Sequence, residues 1–192
     1  ILVSHSDWID SMREPNPYEP GVYMPLTHTD IKQFQPKKVI LGHIHRPTDA
    51  EPVHYPGSPC PLHINETGRR SFLLLDSETG TVQRVPLISE QLFYHLTIVV
   101  LPLKQEISYV QEQIDNALAS WNLTEQETAS ARLRVTVKGY TKDKRMVQEV
   151  ISERLSEFHF YRKEGIDYSE LHVSDNADLD EIAGLTAEKI AA

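Results

Sequence analysis

Short apolar runs broken by proline and glycine open the chain, and longer periodic segments follow. Ile1-Leu2-Val3 and Lys38-Val39-Ile40-Leu41 are compact, β-branched runs of the kind that form buried strands. Between them Pro15, Pro17, Pro20 and Pro25, interleaved with Tyr18 and Tyr23, forbid regular helix and predict an extended loop. Thr27 with Asp30 three residues on predicts a capped short helix through Phe34, stopped by Pro36. Val53-His54-Tyr55 reads as a short strand, and 70–76 and 81–85 as a hairpin across Ser77-Glu78-Thr79-Gly80. The unbroken run 72–75 predicts burial on both faces, in strands that finish the sheet of the first domain.

Residues 86–91 read as a linker, and the pattern then changes. A strand is expected at 94–101, a helix at 106–121, a strand at 131–138, a helix at 142–157 and a strand at 158–162. Ile107, Val110, Ile114, Leu118 and Trp121 recur at helical spacing, which makes Trp121 a core residue rather than a base-stacking platform. The order β-α-β-α-β predicts a compact two-layer α+β domain. The chain is thus expected to be α/β, with one domain at 1–87, a second, α+β, at 88–174, and an acidic tail or linker at 175–192 in which 178–190 can form a short helix.

Composition narrows the class. Of 192 residues, 40% are apolar and 24% charged, the balance of ordinary globular material. No apolar run is long enough to span a membrane and no secretory signal opens the chain. Cys60 is the single cysteine, so no internal disulfide forms and a reducing cytoplasm is the expected location. Set between two prolines, it is read as a small buried hydrophobe. The net charge of −9 counts against a general nucleic-acid binder, yet most of the excess lies beyond Lys163. A local basic surface is available. In the strand at 131–138 the apolar residues alternate inward and leave Arg132, Arg134 and Lys138 on the other face, with Lys142, Lys144 and Arg145 just after. Such a row either holds the phosphates of DNA or is an ordinary solvated sheet face.

Chemistry concentrates in Gly42-His43-Ile44-His45-Arg46-Pro47 and in Tyr55-Pro56-Gly57-Ser58-Pro59. In an extended segment His43 and His45 project to one side, and neutral imidazole suits Mn, Fe or Zn. Gly42, after the strand, is where the backbone is expected to turn. The first apolar run also ends in a histidine, His5. Two adjacent parallel strands would bring His5, His43 and His45 together at their carboxyl ends, where open α/β sheets place ligands. His28, His54 and His63 are expected to be non-ligands.

These residues carry a resemblance. The segment from His5 through the G-H-I-H-R-P motif to Tyr55-Pro56-Gly57-Ser58-Pro59-Cys60-Pro61-Leu62 resembles the calcineurin-like metallophosphoesterases, and most of all the SbcD-type nucleases of DNA double-strand-break repair. The resemblance implies a metallophosphoesterase sandwich followed by a small cap domain, with His5 and His43 on one Mn2+ and His45 on the other. It also implies phosphodiester hydrolysis by metal-activated water, with DNA, an SbcC-type ATPase subunit and a second copy of the protein as partners. The family's amino-terminal D-x-H, G-D-x-x-D and G-N-H do not occur here. The chain is therefore expected to be the carboxyl-terminal portion of a longer enzyme, without its general acid and inactive by itself. Two other functions stay open: a metallophosphoesterase acting on a different phosphoester, and a metal-free, phosphoesterase-like scaffold for protein binding.

Overall fold

The computed structural model describes residues 1–8 and 22–174. Most of the proline-rich loop and the acidic tail at 175–192 lie outside the described residues. The chain is mixed α/β and divides into two units, Ile1–Ser89 and Glu90–Ala192. Among the described residues no helix is long and apolar enough to cross a membrane.

In the first unit, β1 (Leu2–His5) is followed by α1 (His28–Phe34), β2 (Val39–Gly42), β3 (Thr48–Ala50), β4 (Val53–Tyr55), β5 (Arg70–Leu75) and β6 (Val82–Leu87). Thr27 caps α1 through a reciprocal box with Asp30, which satisfies donors that the first turn would otherwise leave open. The main sheet has the order β1-β2-β4-β3, with β1 and β4 parallel to β2 and β3 antiparallel to β4. Its core is small: Trp8, Val39, Leu41, Val53 and Tyr55 are buried, with Leu2, Leu26, Ile31 and Ile44 packed around them. The hairpin β5–β6 forms a separate two-stranded sheet and does not extend the first one. Phe72 and Leu74 are exposed, so the run read as doubly buried has one open face. Pro86, expected in a linker, pairs with Ser71 inside β6, a position proline tolerates because this strand has only one neighbour.

The second unit runs β7 (Leu92–Val100), α2 (Glu106–Trp121), α3 (Glu125–Ser130), β8 (Ala131–Thr141), α4 (Lys144–Arg154), β9 (His159–Phe160) and β10 (Asp167–Val173). β7, β9 and β10 all pair with β8 in parallel. One sheet face carries Leu96, Ile98, Leu133, Val135 and Val137 against Val110 and Ile114 of α2 and Val147 and Ile151 of α4. Burying each such side chain contributes about 1.5–3 kcal/mol. Gln113 on α2 donates through Nε2 to the Val99 carbonyl and accepts the Val99 N–H at Oε1, closing backbone groups of the edge strand β7.

Candidate functional site

The site starts from a register. In the β1–β2 pair His5 lies opposite Gly42. A Cβ at Gly42 would stand 2.7 Å from His5 Nδ1, so the missing side chain makes room for the imidazole. The turn falls one residue later than the sequence implied. His43 itself takes φ 90°, a left-handed conformation that is costly for a residue with a Cβ and is stored at functional sites. Held this way, the His43 ring meets the His5 ring edge-on, with centroids 5.3 Å apart and planes at 73°. Tyr23 completes the cluster. It stacks on His43 at 5.1 Å and meets His5 edge-on at 5.7 Å.

Behind these rings lies Asp7. Its N–H donates to the Tyr23 carbonyl at 2.9 Å, its carbonyl accepts the Leu26 N–H at 2.8 Å, and its Oδ2 accepts the Tyr23 N–H. Those bonds aim Oδ1 at His43 Nε2, 3.6 Å away, with both side chains nearly buried.

His45 takes a different setting. Its ring is half exposed, and Nδ1 lies 2.8 Å from Glu66 Oε1. Glu66 also accepts from the Ser58 hydroxyl at 2.8 Å and the Leu62 N–H at 3.2 Å, with His63 Nε2 at 3.3 Å from Oε1. Burial pushes the Glu66 carboxyl up, but the hydrogen bonds from His45, Ser58 and Leu62 outweigh it and hold the group below its usual value. A charged carboxylate only accepts. His45 therefore donates through Nδ1, so that in the neutral imidazole the lone pair is on Nε2. The loop after Tyr55 packs tightly beneath: a Cβ at Gly57 would lie 2.8 Å from Pro47 and 2.9 Å from the His45 carbonyl, which accepts the Ser58 N–H at 3.1 Å.

The structure thus brings His5 and His43 together, while among the described residues no ring contact joins His45 to either. Among the described residues no group of three or more His, Cys, Asp or Glu side chains is arranged to hold a metal ion. The donors present suit part of a cage. The 3.6 Å between His43 Nε2 and Asp7 Oδ1 is too long for a hydrogen bond and matches two ligands of one ion at bond lengths of about 2.0–2.2 Å. Asp7, Tyr23 and Glu66 were not among the expected site residues. Asp7 stands two residues after His5, a spacing that marks a shared side in extended chain. Glu66 carries no such signal, being 21 residues from His45. His54 is buried against Asp49, and exposed His28 meets Trp8 edge-on. Cys60, expected to be buried, is exposed, because its loop is fixed by Ser58 and Glu66.

In the second unit Arg132, Arg134 and Lys138 occupy alternate positions of β8, on the face away from Leu133, Val135 and Val137. Two of the following cations serve the fold: Lys144 Nζ donates to the Leu171 carbonyl at 2.9 Å, and Arg145 pairs with Glu149. Compared with known proteins, the chain matches no family model and no curated protein.

Proposed function

We propose that residues 1–87 are the carboxyl-terminal part of a metallophosphoesterase sandwich, that 88–174 are its small cap domain, and that the complete enzyme is a Mn2+-dependent, SbcD-like DNA repair exonuclease. The observation that carries this reading is the meeting of His5, His43 and Asp7 at the carboxyl ends of two adjacent parallel strands. His5 and His43 would hold one ion, with Asp7 beside them, and His45 would offer Nε2 to the other. The remaining donors belong to the D-x-H, G-D-x-x-D and G-N-H motifs, which this sequence does not contain. The exposed apolar side chains Val3 on edge strand β1 and Phe72 and Leu74 on β5 support the presence of further layers over this unit.

When bound, the ions would supply Lewis-acid charge to the phosphoryl oxygens and make water a stronger nucleophile. The chain's own residues do the positioning. Glu66 holds the proton of His45 on Nδ1, as carboxylates beside metal-binding histidines do. Tyr23 stacks on the His43 ring and meets His5 edge-on, and Gly42 lets His5 approach. The partners in this reading are DNA, with phosphates at Arg132, Arg134 and Lys138, an SbcC-type ATPase, and a second copy of the chain, in the cytoplasm.

A second reading takes the His43–Asp7 and His45–Glu66 pairs as internal contacts of a metal-free scaffold, since each imidazole already faces a carboxylate. Calorimetric titration of this chain with Mn2+ separates the two. The nuclease reading expects binding that His43→Ala abolishes, and Mn2+-dependent degradation of linear duplex by the complete protein. No heat of binding, with no cleavage by the complete protein, would overturn it.

A further inference from the structure

Both long helices of the second unit pack on one face of its sheet, and the opposite face carries an unusual mixture. From β8 it presents Arg132, Arg134, Thr136, Lys138 and Tyr140, each alternating with an inward-facing neighbour. The β7 register sets Phe93 beside Arg132 and His95 beside Arg134. Tyr161, just after β9, lies across this end: its N–H donates to the Leu133 carbonyl at 2.8 Å, its ring meets Phe93 edge-on at 5.8 Å, and the Arg134 guanidinium sits 5.5 Å from the ring centre. At the other end Tyr140 lies 5.9 Å from the His172 ring. Tyr161 is 46% exposed and Tyr140 44%.

Two aromatic platforms therefore flank a row of cations, separated along β8 by about 20 Å at roughly 3.3 Å per residue. Among the described residues neither Arg132 nor Lys138 enters an ion pair, and Asp167 at the border is taken up by Arg162. On β10, Asp167 is in register with Thr136 and Glu170 with Lys138, so two carboxylates border the row on that side. A polyanion without accessible bases would need only the cations, and a row of positive charge along one strand suits a repeating phosphate backbone. Single-stranded nucleic acid uses both cations and rings, since its phosphates seek cations while its unpaired bases stack on aromatic faces.

We infer that this sheet face binds single-stranded nucleic acid, with bases stacked on Tyr161 and Tyr140 and phosphates on Arg132, Arg134 and Lys138. The inference deepens the assignment of those three cations to DNA and is independent of the metal site. The test is fluorescence anisotropy of the full 192-residue chain with a labelled oligothymidylate of about 12 nucleotides, within the usual range of single-strand site sizes, in the presence of a chelator. Tyr161→Ala and Tyr140→Ala are each expected to weaken binding roughly 5- to 100-fold, whereas Tyr161→Phe, which keeps the stacking face, restores it. Arg132→Ala and Lys138→Ala are each expected to lower the slope of log K against log salt by about 0.7. No binding, or binding that the tyrosine-to-alanine variants leave unchanged, overturns the inference. So does equal affinity for duplex. Because no metal is present, failure here is separate from failure of the nuclease reading, which rests on Mn2+ binding and cleavage.

Discussion

A methyl group at Gly42 would stand 2.7 Å from His5 Nδ1, too close for the ring to stay, so this one position ties the two histidines together. Gly42 has ordinary strand conformation, where alanine is favoured over glycine by about 0.5–1 kcal/mol. His5 is exposed and its ring is free to swing aside. Gly42→Ala is therefore expected to leave the unfolding midpoint in urea unchanged or slightly raised while the edge-on contact between His5 and His43 is lost. Histidine ring chemical shifts read the contact, and unaltered His5 and His43 signals in the variant would refute this account. The sequence pointed to His5 and His43 of this cluster but not to Tyr23 or to the strain at His43. The G-H-x-H spacing marks His43 and His45 as chemistry, yet the positive φ belongs to His43 and not to the glycine before it, because the register of β1 on β2 requires Gly42 inside the strand. Glu66 was invisible for a related reason: its partner lies across a loop whose path depends on the packing of Gly57 on Pro47.

Elements whose apolar residues repeat were legible in the sequence, and elements held by polar contacts were not. The helix α2 follows its apolar stripe from Ile107 to Trp121. By contrast α3 has no buried residue and rests on the Thr124–Glu127 capping box, and β10 buries only Leu171 of its seven residues, so neither shows a period. The strand β3 is equally hidden. It is joined to the hairpin by Arg84 of β6, which donates to both oxygens of Asp49 at 2.9 Å, to the Tyr55 carbonyl at 2.9 Å and to the Ser71 hydroxyl at 2.8 Å. Replacing Arg84 with glutamine leaves those acceptors without their charged donor, and a loss of about 2 kcal/mol is expected in urea unfolding. The hydrogen bond from Arg84 holds the Asp49 carboxyl below its usual value, against the opposing effect of burial. A depressed carboxylate contributes stability that is fully present above its unfolded value of about 3.9 and is lost as the pH falls through the lower folded value. Stability should therefore decline below about pH 4, and Arg84→Gln should flatten that part of the decline. Parallel acid limbs in the two proteins would remove Asp49 from the explanation.

At the scale of the whole chain the two units differ in how completely each closes its own core. The second unit buries a continuous cluster from Leu92 to Leu171 that includes strands from both ends of its sequence and the inner faces of α2 and α4. Among its described residues the first buries Val39, Leu41, Val53 and Tyr55 of its main sheet together with Trp8, and leaves Val3, Phe72 and Leu74 exposed. Small domains bury too little surface to be stable unless the core is well formed, so the two units should behave differently when separated. Residues 90–192 expressed alone are expected to unfold in one cooperative thermal transition, and Ile114→Ala or Ile151→Ala, each removing a side chain with no solvent exposure, should cost that unit about 2–5 kcal/mol. Residues 1–89 alone are expected to bind a dye specific for exposed apolar surface and to show little protection from amide exchange outside β2 and β4, because those two strands carry Val39, Leu41, Val53 and Tyr55. Circular dichroism melting of the one and hydrogen exchange of the other give the comparison. A cooperative, dye-silent 1–89 would mean that the small core suffices, and would remove the exposed apolar face as support for further layers over this unit.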